Sequence, residues 1–263
     1  MSEATPRGRF VWYELMTTDA KGAQDFYTRL IDWGTQPFEG SGPEPYTMFT
    51  RGGQPVGGVM RLSEEGRNAG TPPHWLAYVG TPSVDETVAQ AQKLGAKVRV
   101  PPSDIPTVGR FSVLLDPQGA QFAVFTPLPG QPPRPEAPPA VGEVSWHELA
   151  TTDQEAALRF YQKLFGWEKL DAHDVGGPVG TYIIYGRNGA PLGGMFRKPP
   201  EMPGPPAFLL YVHVEDVSRL VDRVKQLGGR VLNGPMEVPG GDHIVQCLDP
   251  QGAAFALHDR ARK

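Results

Sequence analysis

Apolar and polar positions alternate with a two-residue period in FVWYELMT (10–17) and again in VSWHELAT (144–151), the pattern of half-buried strands. Each is followed by an aspartate, Asp19 or Asp153, placed to cap a helix. The apolar residues then recur at helical spacing: Phe26, Tyr27 and Leu30 in the first stretch, Phe160, Tyr161 and Leu164 in the second. Two short strands come next in each stretch, YTMFT with QPVGGVM and TYIIYG with APLGGMF, joined by the turn-forming RGGQ and RNGA. Their paired glycines mark bulges or a close backbone approach. A further strand, WLAYVG or FLLYVHV, leads into a second helix. The first of these helices opens on a capping box of Ser83 with Glu86 and ends at Gly95; the second runs from near Asp216 to Gly228. Two closing strands flank a DPQG turn, where Pro second and Gly fourth suit type I. The order approximates β-α-β-β-β twice over in each half, an α+β fold with mixed or antiparallel sheets and helices on the outer face.

The two halves are copies of one another. LMTTD (15–19) matches LATTD (149–153) and DFYTRLIDW (25–33) matches RFYQKLFGW (159–167), both at an offset of 134. PVGGVM and PLGGMF are 136 apart, LAYV and LLYV 133, and DPQGAQF and DPQGAAF 133, so the register drifts only through loops. Two homologous modules, 9–127 and 142–259, are therefore expected. The proline-rich segment 128–141 lies between them as a linker of extended, polyproline-like character. A module of about 120 residues has a marginal core alone, so the two are expected to pack together, across the concave faces or edges of their sheets.

Composition removes several function classes. With 25 basic against 29 acidic residues and a net charge of −4, the chain has no electrostatic footprint for nucleic acid. No apolar run approaches the length of a membrane span, and the opening MSEATPRGRF has no apolar signal region. The lone Cys247 has no partner for a disulfide and fits a reducing compartment. Together these indicate a soluble, cytoplasmic protein without a membrane or nucleic-acid partner. Whether it forms a homodimer is left open.

FYxxLFGW after the first strand, the PLGG segment and FxVLxDPQGxxF resemble the vicinal oxygen chelate superfamily of glyoxalases, bleomycin-resistance proteins and extradiol dioxygenases. The match is to its tandem two-module, glyoxalase-like bacterial members. The resemblance implies a cupped sheet from each module with a ligand cavity on its concave side. It also implies that metal-dependent members hold a divalent ion on His, Gln or Glu at inward strand positions. Here those positions carry Trp12 and Trp146, Leu76 and Leu209, and Ala123 and Ala256, none of which ligates a metal.

Alternation sorts the remaining polar residues. His147, one step beyond Trp146, turns to the opposite face with Leu149 and reads as a core or edge histidine. His74 and His213 stand an even number of residues from Leu76 and Leu209, and His258 shares a face with Ala256. Glu14 and Glu148 lie two residues beyond Trp12 and Trp146, so both carboxylates point inward, in the company of Tyr78, Tyr211 and Gln121. The pocket candidates are thus Trp12, Glu14, Tyr78, Gln121, Trp146, Glu148, Tyr211, His213 and His258, aromatic walls with a few polar groups. Arg110 is a candidate counter-ion for the first-module acid. Two functions stay open: a protein that binds a small, partly aromatic molecule without metal or other cofactor, or a metal-dependent lyase, isomerase or dioxygenase with a non-standard ligand set.

Overall fold

The computed structural model describes residues 7–38, 45–130 and 137–261. The first module runs β1 (Phe10–Thr17), α1 (Ala20–Ile31), β2 (Gly34–Pro37), β3 (Thr47–Arg51), β4 (Gln54–Arg61), α2 (Glu64–Asn68), β5 (His74–Gly80), α3 (Val84–Lys93), β6 (Lys97–Ile105), β7 (Gly109–Leu115) and β8 (Gln121–Pro127). The second repeats it without α2: β9 (Val144–Thr151), α4 (Gln154–Phe165), β10 (Glu168–Asp174), β11 (Thr181–Arg187), β12 (Ala190–Arg197), β13 (Ala207–His213), α5 (Val217–Gln226), β14 (Arg230–Glu237), β15 (His243–Leu248) and β16 (Ala254–Asp259). The strands form two eight-stranded sheets, ordered β2-β3-β4-β1-β5-β8-β7-β6 and β10-β11-β12-β9-β13-β16-β15-β14. Both sheets are mixed, with parallel pairs β1/β4, β5/β8, β9/β12 and β13/β16. Among the described residues no helix is long and apolar enough to cross a membrane.

Local chemistry explains the helix ends. Asp19 and Asp153 accept from the amides of Gly22 and Ala156, satisfying first-turn donors of α1 and α4. Ser83 accepts from the Glu86 amide and Asp216 from that of Arg219. The strands that hydrophobic pattern did not mark are the outer ones. β2 reads GTQP and is exposed throughout, β10 reads EKLDAHD, and β6 carries two consecutive prolines. Edge strands face water and need no apolar alternation.

Two compact units cut across the repeat. One comprises Met1–Val11, Ala77–Glu136 and Trp146–Phe208; the other comprises Trp12–Leu76, Ala137–Ser145 and Leu209–Lys263. Each therefore joins one β-α-β-β-β half of the first module to one of the second. In the second unit the core holds Leu15, Phe26, Tyr27, Leu30 and Phe49 together with Val212, Val224, Val245, Cys247 and Phe255. Phe26 and Tyr27 stand edge-on to Phe255 with ring centroids 5.7 and 5.4 Å away. The first unit repeats this with Phe122 against Phe160, Tyr161 and Phe165. Within each unit the two modules meet through their helix-bearing, apolar faces, which corrects the expected packing across concave faces or edges. The helices carry the large apolar side chains that need burial, so those faces join.

The duplicated motifs lock onto each other across the modules. Tyr27 Oη donates to Asp249 Oδ2 at 3.2 Å in one unit, and Tyr161 Oη to Asp116 Oδ2 at 3.0 Å in the other. The indole of Trp33 donates to Gly142 O at 2.8 Å, and that of Trp167 to Gly8 O at 2.7 Å. Each FYxxLxxW segment thus binds the DPQG turn of the other copy and the residue that leads into its first strand. Of the linker, residues 131–136 lie outside the described residues. The end of it is tied to the second module, with Glu143 accepting from the Ala140 amide at 3.0 Å.

Candidate functional site

The core-facing and opposite faces of each strand separate as alternation requires. In β1, Leu15 joins the core cluster of the second unit while Trp12 and Glu14 occupy the other face; in β13, Val212 joins it while Tyr211 and His213, also buried, lie on the opposite face. On the face away from the core in the second unit, the Trp12 indole donates to Tyr46 Oη at 2.8 Å, and the Tyr46 hydroxyl hydrogen-bonds Glu14. The first unit repeats the arrangement: Trp146 donates to Tyr182 Oη at 3.0 Å, and Tyr182 donates to Glu148 Oε2 at 3.0 Å. Burial and then the negative charge of the neighbouring glutamate push both phenols above their usual range. Each tyrosine therefore stays a proton donor, and the chain of donors runs from indole to phenol to carboxylate.

The paired glycines make room for this relay. A Cβ at Gly58 would lie 1.9 Å from Tyr46 Oη, and one at Gly194 would lie 2.0 Å from Tyr182 Oη. Their neighbours Gly57 and Gly193 allow close approach to the carbonyls of Tyr13 and His147. Close packing, and not turn geometry, is what PVGG and PLGG supply.

The remaining candidates form separate groups. Tyr78 is buried, with its ring 6.2 Å from Phe111, and it pairs in register with Ala123; Gln121 opens β8 opposite Leu115. Tyr211 is 2 % exposed and its hydroxyl accepts from Gln246 Nε2 at 2.7 Å. His213 and His258 pair in register with ring centroids 5.7 Å apart. Burial, then the charge of Arg260, lowers His213 below the usual imidazole range. Tyr46, Tyr182 and Gln246 were not legible as site residues from sequence, although Tyr46 and Tyr182 could have been found as the tyrosine repeated at the same place, twelve residues before Gly58 and Gly194, in both copies.

Of two further expectations, the structure overturns that for Arg110 and agrees with that for His147. Arg110 is no counter-ion to the glutamate. It holds Asp85 through Nε and Nη2 at 2.8 and 3.0 Å and Asp104 through Nη1 at 2.8 Å, because β7 places it beside the start of α3. His147 is a core residue, 5 % exposed, stacked on Phe10 at 3.6 Å, with Nδ1 2.7 Å from Leu192 O. Burial depresses it to about 4, so it is a neutral donor at ordinary pH. His74 has Nδ1 2.8 Å from Pro72 O and is likewise lowered by burial.

The six positions named from the family pattern carry no metal-ligating side chain. The indoles of Trp12 and Trp146 are donors already engaged with Tyr46 and Tyr182, and Leu76, Leu209, Ala123 and Ala256 have no donor atom. Among the described residues no group of three or more His, Cys, Asp and Glu stands close enough to hold a metal ion.

A family model described as Glyoxalase/Bleomycin resistance protein/Dioxygenase superfamily matches residues 9–124 and 143–257. Putative glyoxylase CFP32 of Mycobacterium bovis is 31 % identical over 252 residues, covering 94 % of this chain and 92 % of that one. Anthracycline biosynthesis protein DauV of a Streptomyces species is 29 % identical over 260 residues, covering 95 % and 92 %. Among solved structures, the Mn(II)-bound glyoxalase from Novosphingobium aromaticivorans superposes with a TM-score of 0.63 at 19 % identity, covering all of this chain and 84 % of its own. A variant homoprotocatechuate 2,3-dioxygenase from B. fuscum gives a TM-score of 0.67 at 15 % identity, covering all of this chain and 73 % of its own. At these identities the structural likenesses establish the fold.

Proposed function

The chain belongs to the Glyoxalase/Bleomycin resistance protein/Dioxygenase superfamily, and from that premise we propose that it binds a small, partly aromatic molecule without the metal ion of its metal-dependent relatives. The observation that carries the reading is the doubled Trp–Tyr–Glu relay on a sheet face turned away from the core. A core network would bury its acid among helices; these glutamates are only partly covered. The indole offers a flat apolar surface for a ring to stack on. The tyrosine hydroxyl fixes the direction of the carboxylate, which then accepts from a phenolic hydroxyl or an amine. The likeness to an anthracycline biosynthesis protein supports a fused-ring ligand with phenolic hydroxyls. Side chains without ligand atoms at the six positions where the metal-dependent relatives' pattern would put ligands support metal-free binding.

Glu14→Gln, Glu148→Gln and the double variant test this with an anthracycline as the probe. Calorimetric affinity is expected to fall about tenfold or more for at least one single variant, since a charge-assisted hydrogen bond contributes about 1.5 to 3 kcal/mol. The melting temperature should stay near that of the wild type, because glutamine still accepts from the tyrosine. Probe binding unchanged in the double variant would remove the carboxylates from the site.

A further inference from the structure

In the second compact unit three residues from separate elements form a continuous hydrogen-bonded line. Ser145 Oγ, on β9, lies 2.9 Å from His258 Nδ1, on β16. His258 Nε2 lies 2.9 Å from Asp242 Oδ2, just before β15. The other carboxylate oxygen, Oδ1, accepts from the Ala261 amide at 2.8 Å. Burial alone would raise Asp242, but the hydrogen bond from His258 and the Ala261 amide outweigh it and hold the carboxyl below its usual range. In the tautomer that carries its proton on Nε2, the His258 imidazole donates a hydrogen bond to the Asp242 carboxylate. That leaves the Nδ1 lone pair facing Ser145, whose hydroxyl donates to it at 2.9 Å in preference to the carbonyl of Tyr211 at 3.3 Å. We propose that Ser145, His258 and Asp242 are a nucleophile, general base and orienting acid that make this face an acyl-transfer site for small activated esters.

The scaffold does not require the line. At the equivalent places the first module carries Val11, Phe125 and Gly109, so all three polar groups are present in one copy and all three are missing from the other. The first module fills the position differently: a Cβ at Gly109 would lie 2.3 Å from Thr126 O and 2.8 Å from the Phe125 ring, so glycine there accommodates both the neighbouring strand and the phenylalanine. The second module replaces that apolar fit with an acid–imidazole contact and adds a hydroxyl at the far end. His258 keeps 15 % of its side-chain surface exposed and Asp242 35 %, so the line is reachable from solvent. Arg260 lies near enough for its charge to act on both His213 and Asp242, while its Nη2 donates to Pro139 O at 3.3 Å.

In the step itself, Ser145 Oγ bonds to the acyl carbon as its proton passes to His258 Nδ1. The ester C–O bond then breaks and the departing oxygen takes that proton, leaving acyl-Ser145 and an alcohol. Water activated by His258 attacks the acyl group and returns Ser145 and a free acid. The proposal does not rest on the aromatic-ligand reading.

The full-length protein is treated with a fluorophosphonate and, separately, assayed for p-nitrophenyl acetate cleavage, with the modified residue located by mass spectrometry. The adduct is expected on Ser145, with labelling and cleavage lost in Ser145→Ala and reduced at least tenfold in His258→Asn. The triple change Ser145→Val, Asp242→Gly, His258→Phe imports the first module's own solution, so it is expected to melt like the wild type and to take no label. A wild type that is unlabelled at Ser145, or cleavage equal in wild type and Ser145→Ala, would overturn the proposal.

Discussion

Asp249→Ala is expected to lower stability by about 3 to 5 kcal/mol, and Asp116→Ala by a similar amount, because each removes an acceptor on which several buried donors converge. Asp249 Oδ1 accepts from the amides of Gln251, Gly252 and Ala253 at 3.0, 2.8 and 2.9 Å while Oδ2 takes the Tyr27 hydroxyl. Tyr27 is itself fully buried and accepts from the Trp75 indole at 3.0 Å. Burial raises both aspartates above their usual range and the converging donors oppose it. Loss of the carboxylate therefore strands backbone amides and a phenol at once. Tyr27→Phe removes one donor to Asp249 and the acceptor of the Trp75 indole but leaves the three backbone amides paired, and is expected to cost less, about 1 to 3 kcal/mol. Urea midpoints measure all three. A loss below about 1 kcal/mol for Asp249→Ala would show that the crossed Tyr–Asp contacts do not hold the modules together.

Acidification is expected to destabilise the protein through His147. Its folded value is about 4 against 6.5 for an unperturbed imidazole, so between those values the unfolded chain binds the proton that the folded chain refuses. The stabilisation from keeping His147 neutral is fully present above pH 6.5. It is lost as the pH falls toward 4, by about 3 kcal/mol in all. Asp116 and Asp249, whose values are raised, act in the opposite sense, since their folded forms hold protons more readily than the unfolded chain does. Comparing wild type with His147→Gln isolates the histidine: stability measured from pH 7.5 to 4.5 should fall more steeply in the wild type. Parallel curves would place His147 in a better solvated setting than its stack on Phe10 implies.

The chain announced its fold through features that repeat. FYxxLxxW, the aspartate caps and DPQG each occur twice, and two-residue alternation told Leu15 from Glu14 and Leu149 from Glu148. β2 and β10 escaped because an exposed edge strand obeys no apolar rule, as the fully exposed GTQP shows. The crossed pairing of Tyr27 with Asp249 and Tyr161 with Asp116 also escaped, since it joins residues 222 and 45 positions apart and leaves no local pattern. At the candidate site the glutamates and tryptophans were legible from alternation. The phenols that connect them were not, because YTMFT and TYIIYG show apolar spacing and nothing local that marks Tyr46 or Tyr182 as a hydrogen-bond relay. Arg110 pairs with Asp85 and not with the glutamate because β7 runs beside the start of α3, a neighbourhood that leaves no mark in the sequence.

Titration of an anthracycline into protein stripped with a chelator, repeated after addition of Mn(II), tests metal-free recognition most directly. Saturable binding of the same affinity in both, weakened by Glu14→Gln or Glu148→Gln, is the predicted result. Binding that appears only after the metal is restored would contradict it.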